Sequence, residues 1–157
     1  MPKYTVEAIS KHCCQLGEGP HWDPESQTLY YVDLMAGDVC QLDPKTKESK
    51  VVHIGNIVSA VIPIKGEKNQ FIISEDNKLF KLDLSSKQKQ LLVEIDQNLA
   101  GNRFNDAKCD PSGRLWIGTM GPENTPGVFT PGRGKIHETI IFGIFIILNI
   151  PRCSLFL

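Results

Sequence analysis

The chain has 157 residues, of which 41% are apolar and 22% charged, and its formal net charge is −1. These values are typical of one globular domain and exclude a disordered chain. A net charge so close to zero provides no extended basic surface, so we expect no nucleic-acid partner. The first ten residues hold no apolar segment of a secretory signal. We therefore expect a cytoplasmic location, and we allow for the nucleus in addition.

The five cysteines predict no disulfide framework, because their number is odd and their spacing irregular. This pattern favours a reducing compartment such as the cytosol. Cys13 and Cys14 are adjacent and follow His12, which raises the question of a zinc site. Zinc sites usually separate their cysteines by about two to four residues, and the sequence holds no second pair. We therefore expect these thiols to lie in the core or at the surface without a metal.

Short strand-like runs separated by turns dominate the sequence up to about residue 120. In chain order they are "TLYYVDL", "DVCQLD", "KVVHIG", "SAVIPI", "QFIISE", "KLFKLD", "QLLVEI" and "RLWIGTM". They are rich in Val, Ile, Leu and aromatic residues, which favour strands. The segments between them, such as "DPES", "EDN" and "DPSG", are rich in turn-forming residues. The sequence therefore predicts an all-β fold.

The strand pattern also repeats. "VCQLDPKTK", beginning at Val39, aligns with "LFKLDLSSK", beginning at Leu79, at an offset of 40 residues. A second match relates "DPESQTLYY" at Asp23 to "DPSGRLWI" at Asp110, at an offset of 87 residues. A repeat of about 40–45 residues with four short strands is typical of a β-propeller blade. The alternative is a β-sandwich with recurring turns.

The residues up to Met120 suffice for about three blades, whereas propellers usually close with about four to eight. Three blades leave open sheet edges, which are an aggregation hazard. We expect either that other chains complete the ring or that the chain is an incomplete propeller, and we favour the second. We accordingly predict a partial propeller domain over residues 1–135.

The sequence changes character after Lys135. Residues 140–150 are almost all apolar, with Asn149 as the polar exception, and they show neither alternation nor turn chemistry. A transmembrane helix needs about 20 apolar residues, and this run has roughly half that number. We predict that residues 136–157 form an apolar tail foreign to the blades. We expect no membrane partner unless this tail acts as an anchor.

Two polar stretches could carry chemistry. In "LGEGPHW", Glu18 lies between two glycines, which permit close approach of a ligand, and its carboxylate suits a hard divalent cation. In "NRFND", Arg103 and Asn105 would share one face of an extended strand and could bind an acidic or polyhydroxylated small molecule. Taken separately, an ordinary turn glutamate and an ordinary Asn/Asp-capped turn explain these stretches as well.

Taken together, "GEGPHW" and "NRFNDAKCDPSGRLWIGTM" resemble the regucalcin/gluconolactonase family, also known as senescence marker proteins, which includes luciferin-regenerating enzymes. The second motif is long and specific. The resemblance runs from about Tyr4 to about Lys135 and covers the first half of a family member. It implies a six-bladed β-propeller, in agreement with the repeat.

The resemblance also implies a site and an activity. It makes Glu18 a ligand of one divalent metal ion, which would be calcium or zinc, with manganese and magnesium as alternatives. It assigns substrate contacts to Arg103, Asn105 and Glu123, and we expect Asp106 to brace the loop. The implied activity is metal-dependent hydrolysis of a sugar lactone such as gluconolactone. The alternatives are a calcium-binding regulatory protein and an inactive fragment.

The sequence departs from the family pattern in two ways. Ala107 replaces the glycine of the "N-D-G" motif, which would be strained if its backbone were left-handed. The S-N-G-like and P-D-G-like motifs that bring the other metal ligands in the family do not occur here, and neither does the family's general base. We therefore expect lactone hydrolysis to be impaired in this chain, and the catalytic base is unknown.

Overall fold

The fold is known from a computed structural model, which describes residues 3–125 and 127–139. Within these residues all regular structure is β, which confirms the predicted all-β class. The thirteen strands are β1 (Gly17–Asp23), β2 (Thr28–Asp33), β3 (Asp38–Asp43), β4 (Glu48–His53), β5 (Val58–Pro63), β6 (Gln70–Glu75), β7 (Lys78–Asp83), β8 (Gln88–Glu94), β9 (Arg103–Cys109), β10 (Leu115–Met120), β11 (Glu123–Thr125), β12 (Val128–Phe129) and β13 (Ile136–Thr139).

The strands form three successive antiparallel sheets, which we call blades 1, 2 and 3. Blade 1 has the order β1-β2-β3-β4, blade 2 has β5-β6-β7-β8, and blade 3 has β9-β10-β13. Strands β11 and β12 form a separate hairpin. The first strands of the blades contact each other in succession, β1 with β5 and β5 with β9. This arrangement, with the first strand of each sheet innermost and the ring not closed, is that of a partial β-propeller.

The sequence repeats correspond to repeated turns. At the offset of 40 residues, Lys47 and Lys87 adopt left-handed backbones with φ of 60° and 61°. In the same two turns, the carboxylates of Asp43 and Asp83 accept hydrogen bonds from the backbone N–H groups two and three residues ahead. The 40-residue sequence match therefore arises because the same aspartate-capped turn connects the third and fourth strands of both blade 1 and blade 2.

Two apolar clusters lie between the blades. The first joins blades 1 and 2, where the rings of Tyr30 and Phe71 lie 4.8 Å apart and Val32 and Ile73 are fully buried. The second joins blades 2 and 3 around Phe104, which is 1% exposed. Because each cluster contains residues of two neighbouring blades, burial of the clusters holds the blades in their order.

The predicted tail is described only in part. Ile136–Thr139 form β13, which pairs with β10 as the third strand of blade 3. Residues 140–157, which carry the apolar run, lie outside the described residues, so the division between residues 135 and 136 stays a prediction. The described part of the chain holds no helix with the length and hydropathy that crossing a membrane would require.

Candidate functional site at the ends of the inner strands

The N-terminal ends of the three inner strands lie side by side. A Cβ added to Gly19 in β1 would approach the carbonyl oxygen of Ser59 in β5 to 3.4 Å. The Phe104 N–H of β9 donates to the Asp76 carbonyl oxygen at 2.7 Å, and the Asp76 N–H donates to the carbonyl oxygen of Ile57, just before β5, at 2.9 Å. The strand ends that carry Glu18 and Arg103 therefore belong to one region of the molecule.

Each inner strand carries a β-bulge close to this end. Gly19 and Pro20 lie opposite the single residue Tyr31, and Ser59 is the extra residue in the β5–β6 pairing. In β9, Asn105 and Asp106 together face one residue of β10. An extra residue bends the strand and re-aims the side chains that follow it, and bulges are common beside functional sites. None of the three bulges was predicted from the sequence.

Glu18 is the second residue of β1, and its side chain is exposed. Within residues 3–125 and 127–139 it takes part in no ion pair. Gly19 has a φ of 56°, a conformation that is costly for residues with a Cβ. The glycine thus explains how the chain turns directly after Glu18 and leaves the carboxylate free to bind a ligand.

Arg103 is the first residue of β9 and is half-buried. Its Nη1 donates to the Phe104 carbonyl oxygen at 2.9 Å and to Asn105 Oδ1 at 3.1 Å. Burial lowers the pKa of the guanidinium, and the Glu123 and Asp76 carboxylates oppose that shift by favouring the charged form. The side chain is therefore a cation held in place by two hydrogen bonds, and its charged form is favoured by two acidic groups.

The predicted substrate residues meet around this cation. Asn105 is exposed and bonded to Arg103, while Glu123 is the first residue of β11 and interacts electrostatically with Arg103. The Glu123 carboxylate also accepts a hydrogen bond from the Gly127 N–H, which ties it to its own hairpin. Glu18 lies at the same end of the inner strands, without an ion pair to this group.

Asp76 is a member of this region that sequence reasoning missed. Its carboxylate accepts hydrogen bonds from Asn56 Nδ2 at 3.1 Å and from the Ile57 N–H at 3.4 Å. With Arg103 it lines a pocket of about 400 Å³, which Glu94 and Asp96 also border. The only sequence signal was "EDN", which predicted no more than a turn between two strands.

The motif residues after Asn105 have ordinary geometry. Asp106 is exposed, and its carboxylate accepts a hydrogen bond from the N–H of the next residue, Ala107, at 2.9 Å. Ala107 lies within β9 and is not among the residues with a positive φ. The alanine in place of the family glycine is therefore unstrained, and its side chain packs against the cluster around Phe104.

The described residues do not complete a hard-metal site around Glu18. Calcium takes about six to eight oxygen ligands. Among the described residues, the one group of three or more His, Cys, Asp or Glu side chains close enough to share an ion is His12, Cys14 and Cys40. Glu18 is not part of that group. These residues alone therefore do not fit a calcium ion at Glu18, and we derive no catalytic step through such a metal.

Comparison with known proteins agrees with this fold and with the motifs. The family model for the SMP-30/gluconolactonase/LRE-like region matches residues 16–137. Regucalcin from Pongo abelii is 31% identical over 138 residues, which cover 88% of this chain and 46% of that protein. The chain thus spans about half the length of the curated relatives it matches.

Two solved structures have the same arrangement of strands. A luciferin-regenerating enzyme superposes with a TM-score of 0.74 at 31% identity, covering 80% of this chain and 42% of that one. Regucalcin from Agrobacterium tumefaciens, described as a calcium-binding protein, superposes with a TM-score of 0.73 at 31% identity, covering 83% and 42%. Together with the matched motifs, these similarities show that the chain belongs to the SMP-30/gluconolactonase/LRE-like family.

Proposed function

We propose that this chain forms the substrate-holding part of a metal-dependent sugar lactonase. The observation that carries the proposal is the Arg103 guanidinium, half-buried at the end of an inner strand and hydrogen-bonded to Asn105. A lactone carbonyl gains negative charge when water attacks it, and a preorganised cation stabilises that charge. In this region, the Arg103 guanidinium is the cation that can stabilise the developing charge on the lactone oxygen.

The neighbouring groups suit the hydroxyl groups of a sugar. Asn105 can both donate and accept hydrogen bonds, and the Glu123 carboxylate accepts them. One cation beside several carboxylates favours a neutral, polyhydroxylated ligand over an anion, because an anion would face Glu123 and Asp76 as well as Arg103. The proposed substrate class is therefore a neutral sugar lactone of the gluconolactone type.

Hydrolysis needs more than these residues supply. In the proposed reaction a divalent metal ion would polarise the lactone carbonyl and activate water, with Glu18 as one of its ligands. The remaining ligands and the general base would come from outside the described residues. We therefore expect this chain to bind a lactone and to turn it over slowly or not at all.

Calcium binding is the second candidate, favoured by the relationship to the Agrobacterium tumefaciens regucalcin, which is described as a calcium-binding protein. It would use the same Glu18 carboxylate and would not require Arg103. Calcium titration by calorimetry distinguishes the two candidates. The calcium-binding candidate would be favoured if the chain binds calcium tightly and stoichiometrically, loses this binding in Glu18→Gln, and binds no lactone.

The test of the lactone proposal is ligand binding, measured by saturation-transfer NMR with freshly dissolved gluconolactone. Arg103→Met should abolish the signal, because it removes the cation but keeps a similar side-chain length. Lys108→Met is the matched control, since Lys108 is an exposed cation on the same strand. Equal binding by both variants, or no binding by the unmodified chain, would contradict the proposal.

A further inference from the structure

A second group of potential ligands lies on blade 1, away from the Arg103 region. One ligand atom from each of His12, Cys14 and Cys40 lies within 4.8 Å of the other two. His12 and Cys14 belong to the segment before β1, whereas Cys40 lies in the middle of β3. The sequence raises the question of zinc at His12 and Cys14 but does not connect Cys40 with them, because Cys40 is far from the other two along the chain.

The sheet register explains how they meet. Cys40 lies directly opposite Tyr31, in a pairing where Val32 faces Val39. Side chains alternate along a strand, so Cys40 and Tyr31 project from the face opposite the one that Val32 and Val39 give to the core. Cys40 is nevertheless 0% exposed. The segment that carries His12 and Cys14 covers this outer face.

Hydrogen bonds hold that segment in place. The Ser10 hydroxyl bonds to the Ser49 hydroxyl at 3.1 Å and accepts the His12 N–H at 3.0 Å. The Asp33 carboxylate accepts the N–H groups of Gln15 at 2.8 Å and of the following residue at 3.0 Å. The group is therefore anchored on both sides and does not depend on a free N-terminal arm.

Two polar atoms here lack partners. His12 Nε2 and the Tyr31 hydroxyl are buried and have no hydrogen-bond partner in the part of the chain that the structure describes. Buried polar groups are nearly always satisfied, so such atoms call for an explanation such as a bound ion. Their position beside two thiols indicates a ligand with affinity for nitrogen and sulfur.

We propose that His12, Cys14 and Cys40 bind a zinc-class divalent cation. Two thiolates and one imidazole are a set that zinc accepts, with a fourth position open to water or to another donor. Calcium and magnesium prefer oxygen ligands and are not expected here. As each S–Zn bond forms, the thiol proton passes to solvent, so binding releases two protons, and the neutral imidazole coordinates through a ring nitrogen.

The experiment titrates the purified, reduced full chain with Zn²⁺ against a chromogenic chelator and records the absorption spectrum with Co²⁺. We expect one ion per chain and a sulfur-to-cobalt charge-transfer band. His12→Gln and Cys40→Ser should each lower zinc affinity by more than about 100-fold, because loss of a group that only hydrogen-bonds a ligand already costs about 10- to 100-fold.

Two controls make the result specific. Cys13→Ser removes the adjacent exposed thiol, which is outside the group, and should leave zinc affinity unchanged. Glu25→Gln removes an exposed carboxylate in the turn after β1 and should also leave zinc affinity unchanged. The readout is zinc affinity and not lactone binding, so failure of this proposal is distinguishable from failure of the proposed lactone function. Because His12 is part-exposed, we expect His12→Gln to fold. A lower zinc affinity of this variant therefore reports loss of the site and not loss of the fold.

Several results would overturn the proposal. The first is a zinc affinity of His12→Gln and Cys40→Ser equal to that of the unmodified chain. The second is the absence of a charge-transfer band with Co²⁺. The third is a Cys14–Cys40 disulfide in protein purified from a reducing cytosol. Mass spectrometry under non-reducing conditions would detect the disulfide, because the intact chain would be lighter by two hydrogen atoms.

Discussion

The Arg103 guanidinium donates to the Asn105 side-chain oxygen at 3.1 Å across the β-bulge of β9. In a regular strand, residues two apart share a face. The extra residue bends the strand, and the hydrogen bond then sets the orientation of both groups. Two residues of one short motif thus form a preorganised donor pair at the end of an inner strand.

Replacement of Asn105 by alanine should weaken lactone binding by roughly tenfold. A hydrogen bond to a charged group contributes about 1.5 kcal/mol or more, and about 1.4 kcal/mol corresponds to tenfold in affinity. NMR titration with gluconolactone measures the change. Gln90→Ala, which removes an exposed carboxamide on the outer strand β8, should have no effect. Equal affinities for the two variants would show that Asn105 does not position the site.

Replacement of Ala107 by glycine should destabilise the protein by about 0.5–1 kcal/mol. Ala107 has no positive φ, so glycine would relieve no strain and would only add freedom to the unfolded chain. Urea denaturation followed by tryptophan fluorescence measures the free energy of unfolding. An increase in stability would mean that the alanine is strained, contrary to its position within β9.

Asp33 should make the fold sensitive to acid. Desolvation by burial raises the pKa of its carboxyl group, but hydrogen bonds from the Leu16 and Gln15 N–H groups outweigh this and leave the pKa below its ordinary value. Its stabilisation is therefore fully present above the unfolded pKa of about 3.9 and is lost as the pH falls through the folded pKa.

The variant Asp33→Asn should lose about 1–3 kcal/mol at pH 7, because the Gln15 and Leu16 N–H groups lose their charged acceptor. It should also show a smaller loss of stability on acidification than the unmodified chain. Urea denaturation at a series of pH values checks both effects, with the exposed Glu25→Gln as the control. Parallel pH profiles for Asp33→Asn and the unmodified chain would contradict this role.

Phe104 should be the residue that holds blade 3 on blade 2. It is 1% exposed in the cluster between them, and truncation of a buried phenylalanine costs about 3–5 kcal/mol. Thermal unfolding of Phe104→Ala measures the loss. Phe129→Ala, at a side chain that is 47% exposed, should change stability by no more than about 0.5 kcal/mol. Similar unfolding temperatures for the two variants would mean that the cluster does not join the blades.

The strands and the repeat were predictable because they depend on local signals. Short runs rich in Val, Ile, Leu and aromatic residues, separated by turn-forming residues, predicted the strands, and the aligned segments around Asp43 and Asp83 predicted the blade period. The "NRFND" motif identified Arg103 and Asn105, which the structure brings together.

The bulges and the long-range neighbours were not predictable. A bulge at Asn105 and Asp106 depends on the register with β10, which no residue of β9 reveals. Asp76 reaches the Arg103 region only because the turn after β6 meets β9 in the next blade. Cys40 meets His12 only because an anchored segment crosses the outer face of blade 1.

Chemical-shift mapping with gluconolactone tests the location of the proposed site most directly. In amide-resolved NMR spectra we expect the lactone to shift the resonances of Glu18, Asp76 and Arg103–Asp106, at the N-terminal ends of the inner strands. Resonances at the opposite ends, such as those of Asp23 and Cys109, should not move. Shifts confined to the opposite ends, or no shifts at all, would contradict a lactone site built on Arg103.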